Sequence, residues 1–177
     1  VDLKKIIDLK KVINASRFNI AWLVCVILGD LAAVRACVVV LFLHYLLVSR
    51  CVAEVGLVLK VVILGWLVDT ALFSANILTS DGGAIFPPLW LSCLWLLFAT
   101  TLNHCFFWFQ QHNIVAMIVG AIAGPTSYYA GCQLSAITMG ESPLTSLLII
   151  ALVWAVIFPL VLSWASRLND QSQSAAI

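Results

Sequence analysis

The fold is decided by residues 86–131. After Phe86 they read PPLWLSCLWLLFATTLNHCFFWF, a short polar break QQHN, and IVAMIVGAIAGPTSYYAG. Two long apolar runs with polar side chains at their centres are hard to place in a soluble fold, but they fit helices packed within a bilayer. We therefore interpret them as the fourth and fifth spans of a small integral membrane protein.

The composition supports a membrane protein throughout. Of the 177 residues 63% are hydrophobic and 10% are charged, with a mean hydropathy of +1.10, whereas about a quarter of residues are charged in soluble domains. The net charge is +1, and basic residues cluster only near the N-terminus, which argues against a nucleic-acid surface. The expected partners are membrane lipids, and a membrane-protein partner is left open.

The number of spans depends on the apolar stretch at residues 18–48. As one helix it would be about 46 Å long, well beyond a hydrocarbon core of about 30 Å. We therefore predict two short spans that turn near Gly29 and Asp30, although a single helix in a five-span protein is the alternative. The other predicted spans are residues 55–78, 86–109, 114–133 and 144–165. The predicted fold is thus an all-α, polytopic bundle of about six transmembrane helices.

Both ends of the chain are predicted to differ from this single transmembrane domain, residues 18–165. Residues 1–17 alternate apolar and basic side chains at helical spacing, which predicts an amphipathic helix lying in the membrane surface. A cleavable signal peptide is the rival interpretation, but no small-x-small cleavage site follows. Residues 166–177 are predicted to be a loose, polar cytoplasmic tail.

The basic residues predict the orientation. In the six-span arrangement one side of the membrane receives seven of them and the other receives only Arg35; the seven are Lys4, Lys5, Lys10, Lys11, Arg17, Arg50 and Arg167. Because positive residues are retained in the cytoplasm, both termini are predicted to be cytoplasmic.

The fifth span has a nearly bare face. Gly120, Gly124, Ser127 and Gly131 fall within about 60° of one another, so a neighbouring helix could approach closely. Pro125 removes one backbone hydrogen bond and predicts a kink. The kink either opens a polar pocket beside two tyrosines, or it is an ordinary interruption of a membrane helix.

Asp69 is the leading candidate for a functional residue. It lies in the outer half of the third span, where an ionised carboxylate costs at least about 2.5 kcal/mol, so it must face its neighbours. Asn76 lies two turns further along nearly the same face. The partners predicted by depth are Ser127, Tyr128 and Tyr129 on the fifth span, with Arg35 as a further candidate. The alternative is an aspartate that only holds helices together.

A second polar layer is predicted nearer the cytoplasm. Asn103 and His104 share an arc of the fourth span with Thr100, and Lys60 lies at a similar depth on the third. Lys60 and Asp69 face opposite sides of one helix, so they cannot share a site. Snorkelling of Lys60 to the headgroups competes with a contact to His104. His44 and His112 are predicted to be interfacial.

Motifs of known chemistry are absent from the sequence. It contains no Walker loop, no GxSxG and no HExxH. The six cysteines form no CxxC pair, and no histidine is spaced to complete a zinc site with them. We therefore predict no metal site and no cofactor, and whether the protein is an enzyme is left open.

Four segments resemble one known family. They are GWLVDTALF at residues 65–73, PLWLSCLWLLFATTLNHCFFW at 88–108, GAIAGPTSYYAGCQL at 120–134 and WAVIFPLVL at 154–162. They are similar to the signature blocks of a bacterial inner-membrane family known as domain of unknown function 2878, over residues 19–165. The resemblance implies a small multi-span protein of the bacterial inner membrane without an assigned activity, with a lipid-related function expected. It supplies no catalytic residues.

Three functions remain, in this order. The first is a protein that handles lipid or a small apolar molecule, in which Asp69, Tyr128, Asn103 and His104 line an internal pocket. The second is a small proton-coupled transporter in which Asp69 and His104 titrate in turn. The third is a structural or assembly subunit. A cavity open sideways to lipid would favour the first function, a water path between the two polar layers the second, and fully satisfied polar contacts without a cavity the third.

Overall fold

The protein is almost entirely helical. The structure, a computed structural model, describes the backbone of residues 3–47, 53–80 and 82–174, and the side chains of 12–46, 54–80 and 82–168. The elements are α1 (Leu3–Leu47), α2 (Ala53–Ser74), β1 (Leu78–Ser80), α3 (Leu89–Ala99), a 3₁₀ helix (Phe107–Gln111), α4 (Asn113–Leu134), β2 (Ile137–Met139) and α5 (Pro143–Ser174). The all-α prediction is confirmed, with one small antiparallel β1–β2 pair in addition.

Helix α1 reverses direction at Gly29, where φ is +73° and ψ is −162°. A straight helix would separate Asn14 from His44 by about 45 Å. Instead Asn14 donates a hydrogen bond to the carbonyl of Thr100, and the ring of His44 lies 5.1 Å from that of His104. The two halves of α1 therefore run antiparallel, and the reversal lies at the predicted position.

The hairpin defines two ends of the bundle. The strand end carries Gly29, β1 and β2, and there Asp30 Oδ1 accepts a hydrogen bond of 2.9 Å from the backbone N–H of Trp90. The opposite end carries the contacts of Asn14 and His44 just described, and we call it the turn end after the turns that follow α3. Helix α3 runs between the two ends with α1 and α2 packed against it, and α4 packs mainly against α5.

Within the part of the chain that the structure describes, four helices are long and apolar enough to cross a membrane: Val12–Leu46, Glu54–Ser74, Asn113–Leu134 and Pro143–Leu168. Large apolar side chains are exposed along all four, for example Phe42, Ile63, Ile114 and Leu152, as expected of a surface that faces lipid. The multi-pass membrane character is thus supported. Six separate spans are not confirmed, because residues 12–46 form one candidate with a break and α3 has only 11 residues.

The predicted span at residues 86–109 is wrong in its extent. Helix α3 ends at Ala99, and the chain continues in turns to the 3₁₀ helix. Thr100 Oγ1 donates to the carbonyl of Leu97 at 2.7 Å, and Thr101 Oγ1 donates to that of Phe98 at 2.5 Å. Such local side-chain bonds compete with the backbone bonds of a continuing helix.

The chain ends also differ from the predictions. Apart from Gly29, α1 shows no interruption from Leu3 to Leu47, so a separate surface helix at residues 1–17 is not confirmed. Helix α5 extends to Ser174, into the segment predicted to be a loose tail.

Candidate functional site

Asp69 joins three helices. Its side chain is fully buried, in the C-terminal half of α2. Trp95 Nε1 of α3 donates to Oδ2 at 2.7 Å, and the Tyr128 hydroxyl of α4 donates to Oδ1 at 2.5 Å. Both carboxylate oxygens therefore have a donor from a neighbouring helix, which offsets the cost of placing this group inside an apolar bundle.

Glycines allow the aromatic residues of the site to pack closely. A Cβ atom on Gly65 of α2 would lie 1.9 Å from Trp95 Cδ2, and one on Gly124 of α4 would lie 2.2 Å from Trp154 Cγ. The two indoles stack with their ring centroids 5.1 Å apart and their planes 13° apart. Because glycine has no side chain, Trp95 can pack against α2 and Trp154 against α4, and the two stacked indoles form an aromatic wall beside Asp69.

This wall borders a cavity of about 70 Å³. Tyr128, Trp95 and Trp154 form one side, and Phe18 and Trp22 of α1 form another. Leu78 of β1 and Ile137 of β2 also contribute, so the strand pair covers the cavity at the strand end. Asp69 does not line the cavity; it lies behind Tyr128 and Trp95 and fixes both.

The structure separates several residues that the sequence had grouped with Asp69. Asn76 is exposed beyond the end of α2 with a positive φ of 55°, a conformation that asparagine tolerates. Tyr129 is 49% exposed on the far side of α4, and Arg35 is exposed on α1. Ser127 is exposed too, but it lines the cavity. Only Tyr128 among these residues contacts Asp69.

The four positions of the bare face on α4 have two different surroundings. Gly120 and Gly124 lie against Trp154 of α5, whereas a Cβ on Gly131 would meet nothing within 4 Å. Gly131 and Ser127 both border the cavity. Helix α4 continues as a helix through Pro125.

A second polar cluster lies at the turn end. His44 of α1, Glu54 in the first turn of α2 and His104 in the turns after α3 come together. His44 Nε2 lies 3.0 Å from Glu54 Oε2, and His104 Nε2 lies 3.4 Å from Glu54 Oε1. Glu54 was not among the residues predicted for a site, because it lies just before a predicted span; His44, which was predicted to be interfacial, has a buried side chain in this cluster.

Two amides extend this cluster. Asn103 Nδ2 donates to Glu54 Oε1 at 3.3 Å, and Gln110 Nε2 donates to Asn103 Oδ1 at 3.1 Å. Lys60 is exposed and does not take part, so the contact with His104 that competed with snorkelling is not formed. Asn103 and His104 thus belong to a site built on Glu54.

The two polar sites are far apart. Glu54 and Asp69 are separated by 15 residues of α2, about 22 Å along the helix axis. Buried apolar side chains such as Leu57, Val61 and Leu102 pack at the level between them. The prediction that Asp69, Tyr128, Asn103 and His104 line one pocket is therefore wrong.

Comparison with known proteins identifies a family, but no curated or structurally characterised relative. No curated protein and no solved structure matches the chain significantly. A family model described as "Protein of unknown function (DUF2878)" matches residues 11–160, far more than half of the chain. The resemblance found in the sequence is thereby confirmed, and the chain belongs to the DUF2878 family.

Proposed function

We propose that the protein binds a lipid acyl chain or another small apolar molecule in the cavity beside Tyr128. The observation that carries this proposal is a cavity of about 70 Å³ whose aromatic wall is fixed from behind by Asp69. A single water needs about 10–15 Å³ on a comparable measure, so the cavity has room for about five groups of that size.

The position of the cavity favours access from lipid. It lies between α1 and α4, two helices that touch each other little. Ser127 at its border is exposed, and the outer faces of both helices carry exposed apolar side chains. A mouth between such helices opens sideways, where acyl chains are the surrounding medium.

The chemistry of the lining favours an apolar occupant with one hydrogen-bond acceptor. Apolar cavities stay dry and take up apolar molecules. Trp154 Nε1 is buried and makes no hydrogen bond among the described residues; the Tyr128 hydroxyl lies nearby and could accept one, but the two groups do not meet in hydrogen-bond geometry. A carbonyl, ester or ether oxygen on the occupant would satisfy this donor, which otherwise costs about 1–3 kcal/mol.

We further propose that the chain crosses the bacterial inner membrane six times, with both termini cytoplasmic. Counting both halves of α1, the helices pass between the turn end and the strand end six times. Arg17, Lys60 and Arg167 lie toward the turn end and Arg35 toward the strand end, a bias that favours a cytoplasmic turn end. Fluorescent-protein fusions at each terminus should both be protected from protease in spheroplasts; digestion of either would refute this topology.

A structural role is the alternative, because both oxygens of Asp69 are satisfied by neighbouring helices. Proton-coupled transport has less support, since the apolar layer at Leu57 and Val61 lies between the two polar sites. The structural role and the binding role make different predictions for the cavity, and the following experiment separates them.

The test uses a phospholipid whose acyl chain carries a photoreactive diazirine, mixed into nanodiscs that hold the purified protein. After irradiation, crosslinks are mapped by mass spectrometry. We expect them to concentrate on cavity residues such as Trp22 and Cys132, above fully lipid-facing residues such as Ile114 and Leu152.

A pair of glycines supplies the variant and its control. Gly131→Leu extends a side chain into the open space of the cavity, whereas Gly56→Leu extends one into open space on the exposed face of α2. Both replace a helical glycine by the same residue, so their effects on helix propensity are alike. Gly131→Leu should abolish the enrichment at the cavity and Gly56→Leu should preserve it. If crosslinks spread evenly over all lipid-facing helices, or if Gly131→Leu does not change them, the binding role is refuted and the structural role is supported.

A further inference from the structure

We propose that His44, Glu54 and His104 bind a divalent first-row transition-metal ion at the turn end of the bundle. Two imidazoles and one carboxylate reach this point from α1, α2 and the turns after α3. The sequence positions of these residues do not form a ligand motif, and the site becomes visible only when the hairpin in α1 brings His44 back to the turn end. The proposal is independent of the cavity, so either can fail without the other.

The separations between the three side chains suit a small cation. One ligand atom from each residue lies within 4.8 Å of the others, and each imidazole lies close to one carboxylate oxygen of Glu54: His44 Nε2 is 3.0 Å from Oε2, and His104 Nε2 is 3.4 Å from Oε1. Zinc bonds of about 2.0–2.1 Å in tetrahedral geometry place ligand atoms about 3.3 Å apart. Each imidazole thus already lies about this far from one oxygen of the carboxylate, and binding requires only that the three side chains move closer around one shared position.

The hydrogen bonding of the histidines leaves room for a metal. His104 Nε2 is buried and near Glu54, but its geometry does not make a hydrogen bond. His44 Nδ1 is likewise buried and has no hydrogen-bond partner among the described residues. Buried polar atoms are normally satisfied, and a bound cation would give the nitrogen of His104 the partner that it lacks.

The surroundings hold the carboxylate in place. Asn103 donates to Glu54 Oε1, and Gln110 in turn donates to the side chain of Asn103. Such supporting hydrogen bonds orient metal-binding side chains and tune their affinity. Among the side chains that the structure describes, no lysine or arginine forms an ion pair with Glu54, so none of these described cations competes with a metal ion there.

The ligand set selects the class of metal. Imidazole nitrogen favours zinc and neighbouring transition metals, whereas magnesium and calcium prefer oxygen ligands. Three protein ligands also leave a coordination position for water or another small ligand, as in zinc sites that are not purely structural. Zinc is therefore the metal ion used in the test, and magnesium is the negative control.

The experiment measures zinc binding to the full chain, without a polyhistidine tag and stripped of metal with a chelator in detergent. Isothermal titration with Zn²⁺ should show one equivalent per chain, and Mg²⁺ should give no signal. His44→Gln and His104→Gln should each lose the site, and Asn103→Ala should weaken binding by about 10–100-fold. Zinc should also raise the thermal midpoint of the wild type, because it binds the folded state.

The third histidine provides the matched control. His112 ring Nδ1 lies 2.9 Å from the carbonyl of Trp108, and the ring stacks on that indole, away from the cluster. His112→Gln should therefore bind zinc as the wild type does. Equal zinc binding by all three histidine variants would overturn the proposal. If neither His44→Gln nor His104→Gln folds, the test is the thermal midpoint of the wild type. A midpoint that zinc does not raise would also overturn the proposal.

Discussion

The hydrogen bond between Tyr128 and Asp69 allows a sharp test of the buried site. Tyr128→Phe removes a single oxygen atom, keeps the aromatic ring, and leaves Asp69 Oδ1 without its donor at 2.5 Å. Hydrogen bonds between membrane helices contribute about 0.6–1.7 kcal/mol, and bonds to charged groups in proteins about 1.5–3 kcal/mol. We therefore expect Tyr128→Phe to lower the free energy of unfolding by about 1–3 kcal/mol.

The adjacent tyrosine is the control. Tyr129 is 49% exposed and does not contact Asp69, so Tyr129→Phe should change the free energy of unfolding by less than about 0.5 kcal/mol. Both variants are measured by titrating mixed micelles with a denaturing detergent and following tryptophan fluorescence. Because the two substitutions are chemically identical, their difference isolates the contact with Asp69.

A double-mutant cycle completes the test. With Asp69→Leu the Tyr128 hydroxyl has lost its acceptor, so adding Tyr128→Phe should be neutral or stabilising. If Tyr128→Phe costs the same with and without Asp69, or no more than Tyr129→Phe, the contact does not stabilise the fold, and Asp69 does not fix the wall of the cavity.

Two further substitutions test the backbone. Gly29→Ala should lower the free energy of unfolding by about 1–3 kcal/mol in the same titration, because φ of +73° with ψ of −162° is essentially restricted to glycine. The control Gly56→Ala, within α2, should be neutral or stabilising. If Gly29→Ala is as stable as the wild type, that result would argue against the hairpin. Gly124→Ala should cost about 1–3 kcal/mol, because its Cβ would lie 2.2 Å from Trp154 Cγ. Gly131→Ala meets nothing within 4 Å, and equal costs at the two positions would contradict the packing of α4 on α5.

The features that could be predicted from the sequence depend on the free-energy cost of placing a residue, or a short stretch, in water or in the bilayer. An apolar composition requires a bilayer, a stretch at residues 18–48 is too long for one span, and a carboxylate at Asp69 has to face other helices. The structure places a break at Gly29 and buries Asp69 completely. Each of these inferences needs only the residue and its immediate neighbours in the chain.

The features that the sequence did not predict depend on contacts between distant segments. Glu54 reads as a loop residue at the start of a span, and only the packing of α1 and α3 around it brings His44 and His104 within reach. The early end of α3 depends on the threonine hydroxyls that bond back to the helix, and each strand has only three residues, too few for a recognisable alternation. No local pattern could have located these features.

The contact between Asp30 and Trp90 has a consequence for how the protein is made. Helix α3 begins after Pro88, which offers no side-chain cap, and its first turn takes its acceptor from Asp30, 60 residues earlier. During translation the tip of the hairpin leaves the ribosome well before the amide that it serves. The start of α3 thus obtains its acceptor from a segment that is synthesised earlier, so the order of synthesis matches the order in which this contact needs its two partners.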